Sequence, residues 1–182
     1  KFWEQHIDDL IVDKFRFKRN GSKIHKYKAL VEKYMSADNL PEVEIGVITK
    51  YVNEEAHVSL KESLYHSGLA NDVRVKRRWI NAEDLEKTDD IAPFFEGLSG
   101  VITCGGFDVR GVEGKVKGIS FCRENKIPFL GICLGLQCSV IEFSRNVLGL
   151  MDANSQEFDP GTPNPVVHYL EGQSKDIKKS GT

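Results

Sequence analysis

The sequence predicts an α/β fold with a mostly parallel sheet and helices on both of its faces. Short β-branched runs alternate along the chain with longer segments whose apolar residues recur at helical spacing, and this rhythm is typical of such a sheet. Two of the short runs end in glycine-rich loops. Because ligands of parallel α/β folds bind beyond the carboxyl ends of the strands, these loops are the first candidates for a functional site.

The first elements of the pattern lie in the first half of the chain. The run VEIGVIT at 43–49 is short and β-branched, which predicts a buried strand. The segment 54–70 has apolar residues at roughly helical spacing and Gly68 near its end, which predicts a helix. The run DVRVKRRWI at 72–80 alternates between apolar and polar residues and predicts a second strand.

The remaining elements continue the alternation. FEGLSGVITCGG at 95–106 predicts a strand that runs into paired glycines, and VEGKVKGISFCREN at 112–125 predicts a helix. KIPFLGI at 126–132 predicts a further strand, and LGLQCSVIEFSRNVLG at 134–149 predicts a further helix. The glycine-rich loops GGF and GICLG both follow strands, and so we expect them at the same rim of the sheet.

Residues 1–42 differ from the rest because they are polar and irregular. We expect a linker or N-terminal extension there, and a domain at 43–182 whose C-terminal part is missing, in a piece of a longer protein. The segment 14–28 carries seven basic residues and no acidic one, interleaved with three aromatic residues. Such a pattern occurs in nucleic-acid grooves and also in linkers that pack on a neighbouring domain. Because the rest of the chain balances this charge, we favour the linker.

Composition narrows the class of protein. The chain has 182 residues, of which 29% are charged, with a net charge of -2, which favours neither bulk nucleic-acid binding nor disorder. No apolar run approaches the ~18 residues of a membrane span and no signal-peptide pattern is present, so we expect a cytoplasmic protein. Four cysteines without CxxC spacing predict reduced thiols. We interpret Cys122 and Cys138 as packing residues, and nothing marks Cys104 as reactive.

The motif GICLG places Cys133 between two glycines, after a predicted strand and before a predicted helix. This is the layout of a nucleophile elbow, in which Gly131 and Gly135 leave room for a sharp turn. The following helix would present its N-terminal amides to the sulfur and raise the fraction of thiolate. The alternative is a buried structural cysteine, the commonest role of an isolated one. The pattern favours the nucleophile.

The second loop, CGGFDVRGVEGK at 104–115, carries paired glycines after a strand. Paired glycines let backbone N–H groups approach a ligand closely, but a tight turn explains them equally well in isolation. The presence of two such loops at neighbouring strand ends favours a site.

The two loops and two other segments resemble a known family. PFLGICLGLQ at 128–137, ANSQEF at 153–158, GGFDVRGVEGK at 105–115 and EIGVITKY at 44–51 resemble the class I glutamine amidotransferase domain of the CTP synthases. The resemblance covers residues 43–182 and implies the flavodoxin-like fold of that class. It also implies that residues 1–42 contain the connection from a synthase domain.

The resemblance implies a reaction and a set of residues. Cys133 would attack the side-chain amide of glutamine and form a thioester, releasing ammonia, while the N–H groups of Gly106 and Leu134 would hold the oxyanion. Glu157 would bind the α-amino group of glutamine. The other glutamine contacts implied are Gly106, Phe107, Leu134, Gly135, Leu136 and Gln137. Residues Arg110, Gly111 and Glu113 would belong to a lid loop associated with activation by GTP.

For the whole protein the resemblance implies a ligase of pyrimidine biosynthesis. Ammonia would pass to the synthase domain, which phosphorylates UTP with ATP and aminates it to CTP. ATP, Mg²⁺ and GTP would serve that full-length enzyme, a homotetramer, whereas this domain would bind no metal or cofactor. An isolated domain could be a monomer.

The sequence departs from the family in three respects. Cys104 stands where the family usually has proline. Asp108 stands where the family has glycine, which restricts the backbone of the lid loop. The histidine and glutamate of the family's H-P-E segment, and its arginine for the glutamine carboxylate, fall beyond Thr182, and His168 does not replace the histidine. We interpret His57 and His66 as surface or packing residues. The chain alone is therefore expected to turn over glutamine poorly, and a degenerate module that only binds or regulates is the alternative.

Overall fold

A computed structural model describes residues 4–18 and 24–170, and the chain divides into two compact units between Asn39 and Leu40. The first unit contains helices α1 (Ile7–Lys14) and α2 (Ile24–Met35) and a 3₁₀ turn at Ala37–Asn39. Neither helix was predicted from the sequence. Helix α2 has neither glycine nor proline and is rich in good helix formers. Its apolar residues Tyr27, Val31 and Tyr34 also recur every three or four positions, so propensity and pattern both favour a helix.

The basic segment at 14–28 spans the end of α1 and the start of α2, and its residues 19–23 lie outside the described residues. The rings of Phe15 and Phe17 stack with their centroids 5.7 Å apart, and both side chains are exposed. The linker role of this segment remains a prediction.

The second unit is built on a parallel sheet of four strands in the order β2-β1-β3-β4. The strands are β1 (Glu42–Thr49), β2 (Arg74–Asn81), β3 (Gly100–Thr103) and β4 (Phe129–Gly131). This confirms the predicted α/β class with its parallel sheet. A further parallel pair, β5 (Ala153–Ser155) and β6 (Asn164–Val167), was not predicted, because these strands are three and four residues long and lack a β-branched alternation.

Five helices accompany the strands within residues 40–170: α3 (Val58–Ala70), α4 (Ala82–Lys87), α5 (Ala92–Phe95), α6 (Val112–Glu124) and α7 (Leu134–Asn146). Helix α3 begins later than predicted because Glu54–His57 forms a 3₁₀ turn. The predicted strand at 95–106 is wrong at its start, since Phe95 ends a short helix that Pro93 helps to initiate. No helix within the described ranges has the length and apolar character needed to cross a bilayer.

The core is formed by two apolar clusters. One lies around Ile48, Leu85 and Phe95, and the other joins α6 to α7. Cys122 belongs to the first cluster and Cys138 to the second, and both are fully buried, which confirms their predicted packing role. Burial raises the pKa of Cys122 to about 12 and that of Cys138 to about 11, so both stay as thiols at neutral pH.

Glu142 is a buried carboxylate that joins α7 to α6. It is 2% exposed, and it accepts hydrogen bonds from Arg123 at 3.0 Å (Nε) and 2.9 Å (Nη2) and from Asn146 Nδ2 at 2.9 Å. Burial alone would raise the pKa of Glu142, but the hydrogen bonds from Arg123 and Asn146 outweigh it and lower the pKa below the ordinary 4.5. The ionised carboxylate therefore stabilises the folded state above that pH, and this contribution is lost as pH falls through the folded pKa.

We expect Glu142→Gln to lower the free energy of unfolding by about 2 kcal/mol at pH 7, because it removes charge-assisted hydrogen bonds. The deficit should shrink as the pH falls below 4.5 and through the lowered pKa of the native carboxylate. Urea unfolding of both proteins at pH 7 and at low pH measures this, with Glu62→Gln on the exposed side of α3 as the control. A deficit that stays constant with pH would contradict the assigned role of Glu142.

Candidate active site

Cys133 stands on the turn between β4 and α7, at the N-cap of the helix. Its backbone has φ 53 and ψ −112, a conformation that costs a residue with a side chain ~1–3 kcal/mol. Its side chain is exposed, whereas Cys104, Cys122 and Cys138 are buried. The strand–turn–helix layout predicted for the motif is present, and the alternative of a buried structural cysteine does not fit residue 133.

The two glycines of the motif are required by contacts between backbones. A Cβ on Gly131 would lie 2.7 Å from the carbonyl carbon of Gly135, and a Cβ on Gly135 would lie 2.1 Å from the carbonyl oxygen of Thr103. Neither position has space for a side chain. The first turn of α7 consequently lies directly against the end of β3, and this contact sets the position of Cys133.

The backbone N–H groups of this turn differ in whether they donate to a carbonyl group of the turn itself. The Gly135 N–H donates to Ile132 O at 2.9 Å, and the N–H groups of Leu136 and Gln137 both donate to Cys133 O, at 3.0 and 3.1 Å. Leu134 is the first residue of α7, and so its N–H has no acceptor within the helix. Of these N–H groups, that of Leu134 is the one left to bind a ligand.

The loop after β3 meets the cysteine turn at Gly105 and Gly106. A Cβ on Gly105 would lie 3.4 Å from Cys133 Cβ, and a Cβ on Gly106 would lie 3.4 Å from Leu134 Cδ2. The prediction that both glycine-rich loops lie at the same rim of the sheet is therefore confirmed. The structure brings Gly105, Gly106, Cys133 and Leu134 into one small region.

Two buried lysines hold the loop after β3 through its carbonyl groups. Lys50, at the end of β1, is 5% exposed, and its Nζ donates to Phe107 O and, at 2.6 Å, to Asp108 O. Lys115, on α6, is 0% exposed, and its Nζ donates to Cys104 O at 2.6 Å and to Gly105 O at 3.3 Å. Burial lowers the pKa of both lysines and raises the pKa of the Cys104 thiol.

Neither lysine was predicted as a site residue from the sequence. A usable signal exists for Lys115, since it stands three residues after Val112 and four before Ile119, on the apolar side of α6. Lys50 directly follows the buried residues of β1, which is a weaker signal because a strand end is a usual place for a solvated lysine.

The loop before α6, which was predicted to form a lid, adopts a conformation that glycine would favour. Asp108 has φ 63, and its Oδ1 accepts the Arg110 N–H at 2.8 Å, which lowers the pKa of the carboxyl group. Aspartate tolerates this left-handed region better than most residues, so the departure from the family does not prevent the turn. Gly111 has φ 73 and forms the N-cap of α6.

The charged residues predicted for the lid are paired. Arg110 Nη1 lies 2.5 Å from Glu83 Oε1, and its guanidinium carbon lies 5.7 Å from the centre of the Tyr51 ring. Glu113 Oε2 lies 2.7 Å from Arg145 Nη1. Any ligand that uses Arg110 must therefore compete with Glu83 for it.

The residues expected to contact glutamine differ in exposure. Gln137 is half-buried on α7, while Leu136 and Phe107 are 59% and 67% exposed. Glu157 is half-buried just after β5, a strand that packs against α7, and its N–H donates to Ser155 Oγ at 3.1 Å.

The histidines stand as the sequence predicts. His57 Nε2 lies 2.9 Å from Thr49 Oγ1, and the His57 ring stacks on Trp79 with centroids 5.3 Å apart, so it is a packing residue. His66 and His168 are exposed. Across residues 4–18 and 24–170, no three His, Cys, Asp or Glu side chains converge as a metal site requires.

Comparison with known proteins agrees with this geometry. The sequence matches the family model described as glutamine amidotransferase class-I over residues 53–180. It is 50% identical over 159 residues to the CTP synthase of Thermococcus gammatolerans, covering 87% of this chain and 29% of that protein. It is 42% identical over 183 residues to the CTP synthase of Carboxydothermus hydrogenoformans, covering 100% and 34%.

A solved structure is similar as well. The glutaminase domain of Trypanosoma brucei CTPS with bound acivicin matches with a TM-score of 0.66 and 34% sequence identity, over 73% of this chain and 52% of that one. The chain spans about a third of the length of the curated relatives it matches. It belongs to the class I glutamine amidotransferase family and is homologous to the glutaminase domain of CTP synthases.

Proposed function

We propose that this chain is the glutaminase part of a CTP synthase, which hydrolyses L-glutamine and supplies ammonia for the ATP-dependent amination of UTP to CTP. The observation that carries the proposal is the exposed thiol of Cys133, on a strained turn at the N-terminus of α7 and beside Gly105. Homology to CTP synthases over the whole chain supports the choice of substrate.

The proposed reaction begins when the Cys133 thiolate attacks the side-chain carbonyl carbon of glutamine. The carbonyl oxygen becomes an oxyanion, which the N–H groups of Gly106 and Leu134 would stabilise, each donor contributing ~2.7–4 kcal/mol. Collapse of the intermediate breaks the carbon–nitrogen bond, and the nitrogen leaves as ammonia after taking a proton. Water then hydrolyses the thioester to glutamate and restores the thiol.

No residue of the described chain is assigned as the general base. His57 is held by Thr49 and Trp79, and His66 and His168 are exposed. Because loss of the base from such a catalytic unit typically reduces the rate by a factor on the order of 10⁶, we expect slow turnover from these residues alone.

Glutamine would be held at both of its ends. Glu157 would pair with the α-amino group, since a carboxylate is the natural partner of an ammonium group. Phe107 and the backbone along Leu134, Gly135, Leu136 and Gln137 would enclose the side chain. Arg110, Gly111 and Glu113 would form a lid that responds to GTP, and this response would require Arg110 to leave Glu83.

The other assignments concern the whole protein. We place the sites for ATP, Mg²⁺ and UTP in the synthase domain, with residues 1–42 containing the connection to it. The assembly would be a homotetramer of the full-length enzyme that acts in the cytoplasm. Homology to CTP synthases supports these assignments.

Labelling with diazo-oxo-norleucine, an electrophile that mimics glutamine, tests the proposal. We expect mass spectrometry to find one adduct, on Cys133, because the other three thiols are buried. An excess of L-glutamine should prevent the adduct, and Cys133→Ser should remove it.

The outcome separates the two candidate functions. Labelling spread over several thiols, or none, would contradict the proposed glutaminase. Binding of glutamine without any adduct would instead identify a non-catalytic module of the same family.

A further inference from the structure

We infer that Lys115 is a positioning residue, which directs the Gly106 N–H at the reacting carbonyl oxygen by holding the carbonyl group of Gly105. The inference rests on the proposed glutaminase function and deepens it. It assigns a role to a buried ammonium group that the reaction itself does not use.

Lys115 contacts the peptide plane that joins Gly105 to Gly106. In a trans peptide, the C=O of one residue and the N–H of the next lie in one plane and point in opposite directions. No cis peptide occurs among the described residues, and Lys115 Nζ donates to Gly105 O at 3.3 Å and to Cys104 O at 2.6 Å. By fixing the Gly105 carbonyl, Lys115 also fixes the direction of the Gly106 N–H, which points away from the lysine.

Without Lys115, the peptide between Gly105 and Gly106 would be able to rotate. Gly105 and Gly106 have no Cβ, so the peptide between them can rotate with little steric resistance. Rotation by about 180° would exchange the N–H for a carbonyl oxygen, which repels an oxyanion. The flipped state would also leave the buried ammonium of Lys115 with one acceptor fewer.

Burial of the Lys115 ammonium group reduces the stability of the fold. Lys115 is 0% exposed, and the polar partners of its Nζ within the described residues are two carbonyl oxygens. A buried ammonium without a carboxylate partner reduces stability, and an apolar side chain of similar length would fill the space at lower cost. Burial lowers the pKa of Lys115, in keeping with such a surrounding. Its ammonium group also polarises the Gly105–Gly106 amide and makes the N–H a stronger donor.

Lys50 fixes the other end of the same loop. Its Nζ donates to the carbonyls of Phe107 and Asp108. Gly106 thus lies between two anchored segments, and Lys115 is the lysine that controls the peptide plane carrying the Gly106 N–H.

The test uses Lys115→Met in the protein that carries this chain. We expect kcat for glutamine hydrolysis to fall about 10²–10³-fold, the usual effect of losing one oxyanion donor. We expect KM to change by less than about 3-fold, because the lost interaction forms in the transition state. Alkylation of Cys133 by iodoacetamide should be nearly unchanged, since alkylation forms no oxyanion.

Lys117→Met is the matched control. Lys117 stands on the same helix, and its ammonium also donates to a main-chain carbonyl, that of Thr88. We expect this variant to keep the kcat of the unaltered protein. A merely structural role for Lys115 would lower alkylation and hydrolysis together, without the split between kcat and KM.

Failure of the proposed function and failure of the role of Lys115 would give different results. An unaltered protein that does not hydrolyse glutamine would overturn the proposed function. Hydrolysis by Lys115→Met with an unchanged kcat would overturn the role of Lys115 alone. If that variant does not fold, a crystal structure of the unaltered protein with the diazo-oxo-norleucine adduct decides. The role is supported if Lys115 Nζ donates to Gly105 O and the Gly106 N–H donates to the oxygen of the adduct. A flipped Gly105–Gly106 peptide overturns it.

Discussion

Replacement of Cys133 by glycine is expected to abolish glutamine hydrolysis and to give a protein more stable than Cys133→Ala. Any residue with a Cβ at φ 53 and ψ −112 carries a strain of ~1–3 kcal/mol, which glycine does not. Glycine loses about 0.5–1 kcal/mol through its greater freedom in the unfolded chain, so the net advantage is about 1 kcal/mol. In the protein that carries this chain, hydrolysis should fall in both variants by a factor on the order of 10⁶, because the nucleophile is gone.

Urea unfolding of the two Cys133 variants measures the difference in stability. The control pair is Val140→Gly and Val140→Ala, at an exposed position within α7, where glycine should be about 1 kcal/mol less stable than alanine. The glycine variant is thus expected to be the more stable one at position 133, whereas the alanine variant is expected to be the more stable one at position 140. Equal stabilities at position 133 would contradict the strain, and hydrolysis by either variant would contradict the assignment of the nucleophile.

The elements that the sequence predicted well are those with a long, regular pattern. Helix α6 ends within one residue of its predicted end, and β1 and β2 are shifted by one or two residues, because burial of one helix side or of a β-branched run fixes the pattern. The segment 95–106 contains the predicted strand, but the strand begins at Gly100. Phe95 ends a short helix and packs in the core, and its apolar character alone fits either element.

The site was predicted to the extent that it depends on local backbone. The turn at Cys133 and its two glycines follow from a short motif, and the structure contains the turn. The roles of Lys50 and Lys115 were not predicted, because their partners are carbonyl groups and any residue supplies one. A buried lysine that binds backbone leaves no complementary residue type in the sequence, so only the folded chain identifies it.

Gly135→Ala is expected to be the most damaging glycine substitution at the cysteine turn. The new Cβ would lie 2.1 Å from the carbonyl oxygen of Thr103 and 2.8 Å from its carbonyl carbon, distances at which something must move. Thr103 lies in β3, which is hydrogen-bonded to strands on both sides, so the movement falls on α7. We expect the free energy of unfolding to fall by about 3 kcal/mol.

Gly161→Ala provides the control, because the new Cβ would meet nothing closer than Asp159 Oδ1 at 3.6 Å. This variant should lie within about 0.5 kcal/mol of the unaltered protein in urea unfolding. Equal midpoints for the two variants would show that α7 does not pack on β3 as described.

Gly135→Ala should also impair glutamine hydrolysis beyond the loss of folded protein. Movement of α7 displaces Cys133 and Leu134 relative to Gly106, and a misplacement of about 1 Å can reduce the rate about 10²-fold. Hydrolysis measured per folded molecule, at a temperature well below unfolding, separates this effect from instability. Normal hydrolysis by the folded fraction would mean that the contact between α7 and β3 supports the fold without positioning the nucleophile.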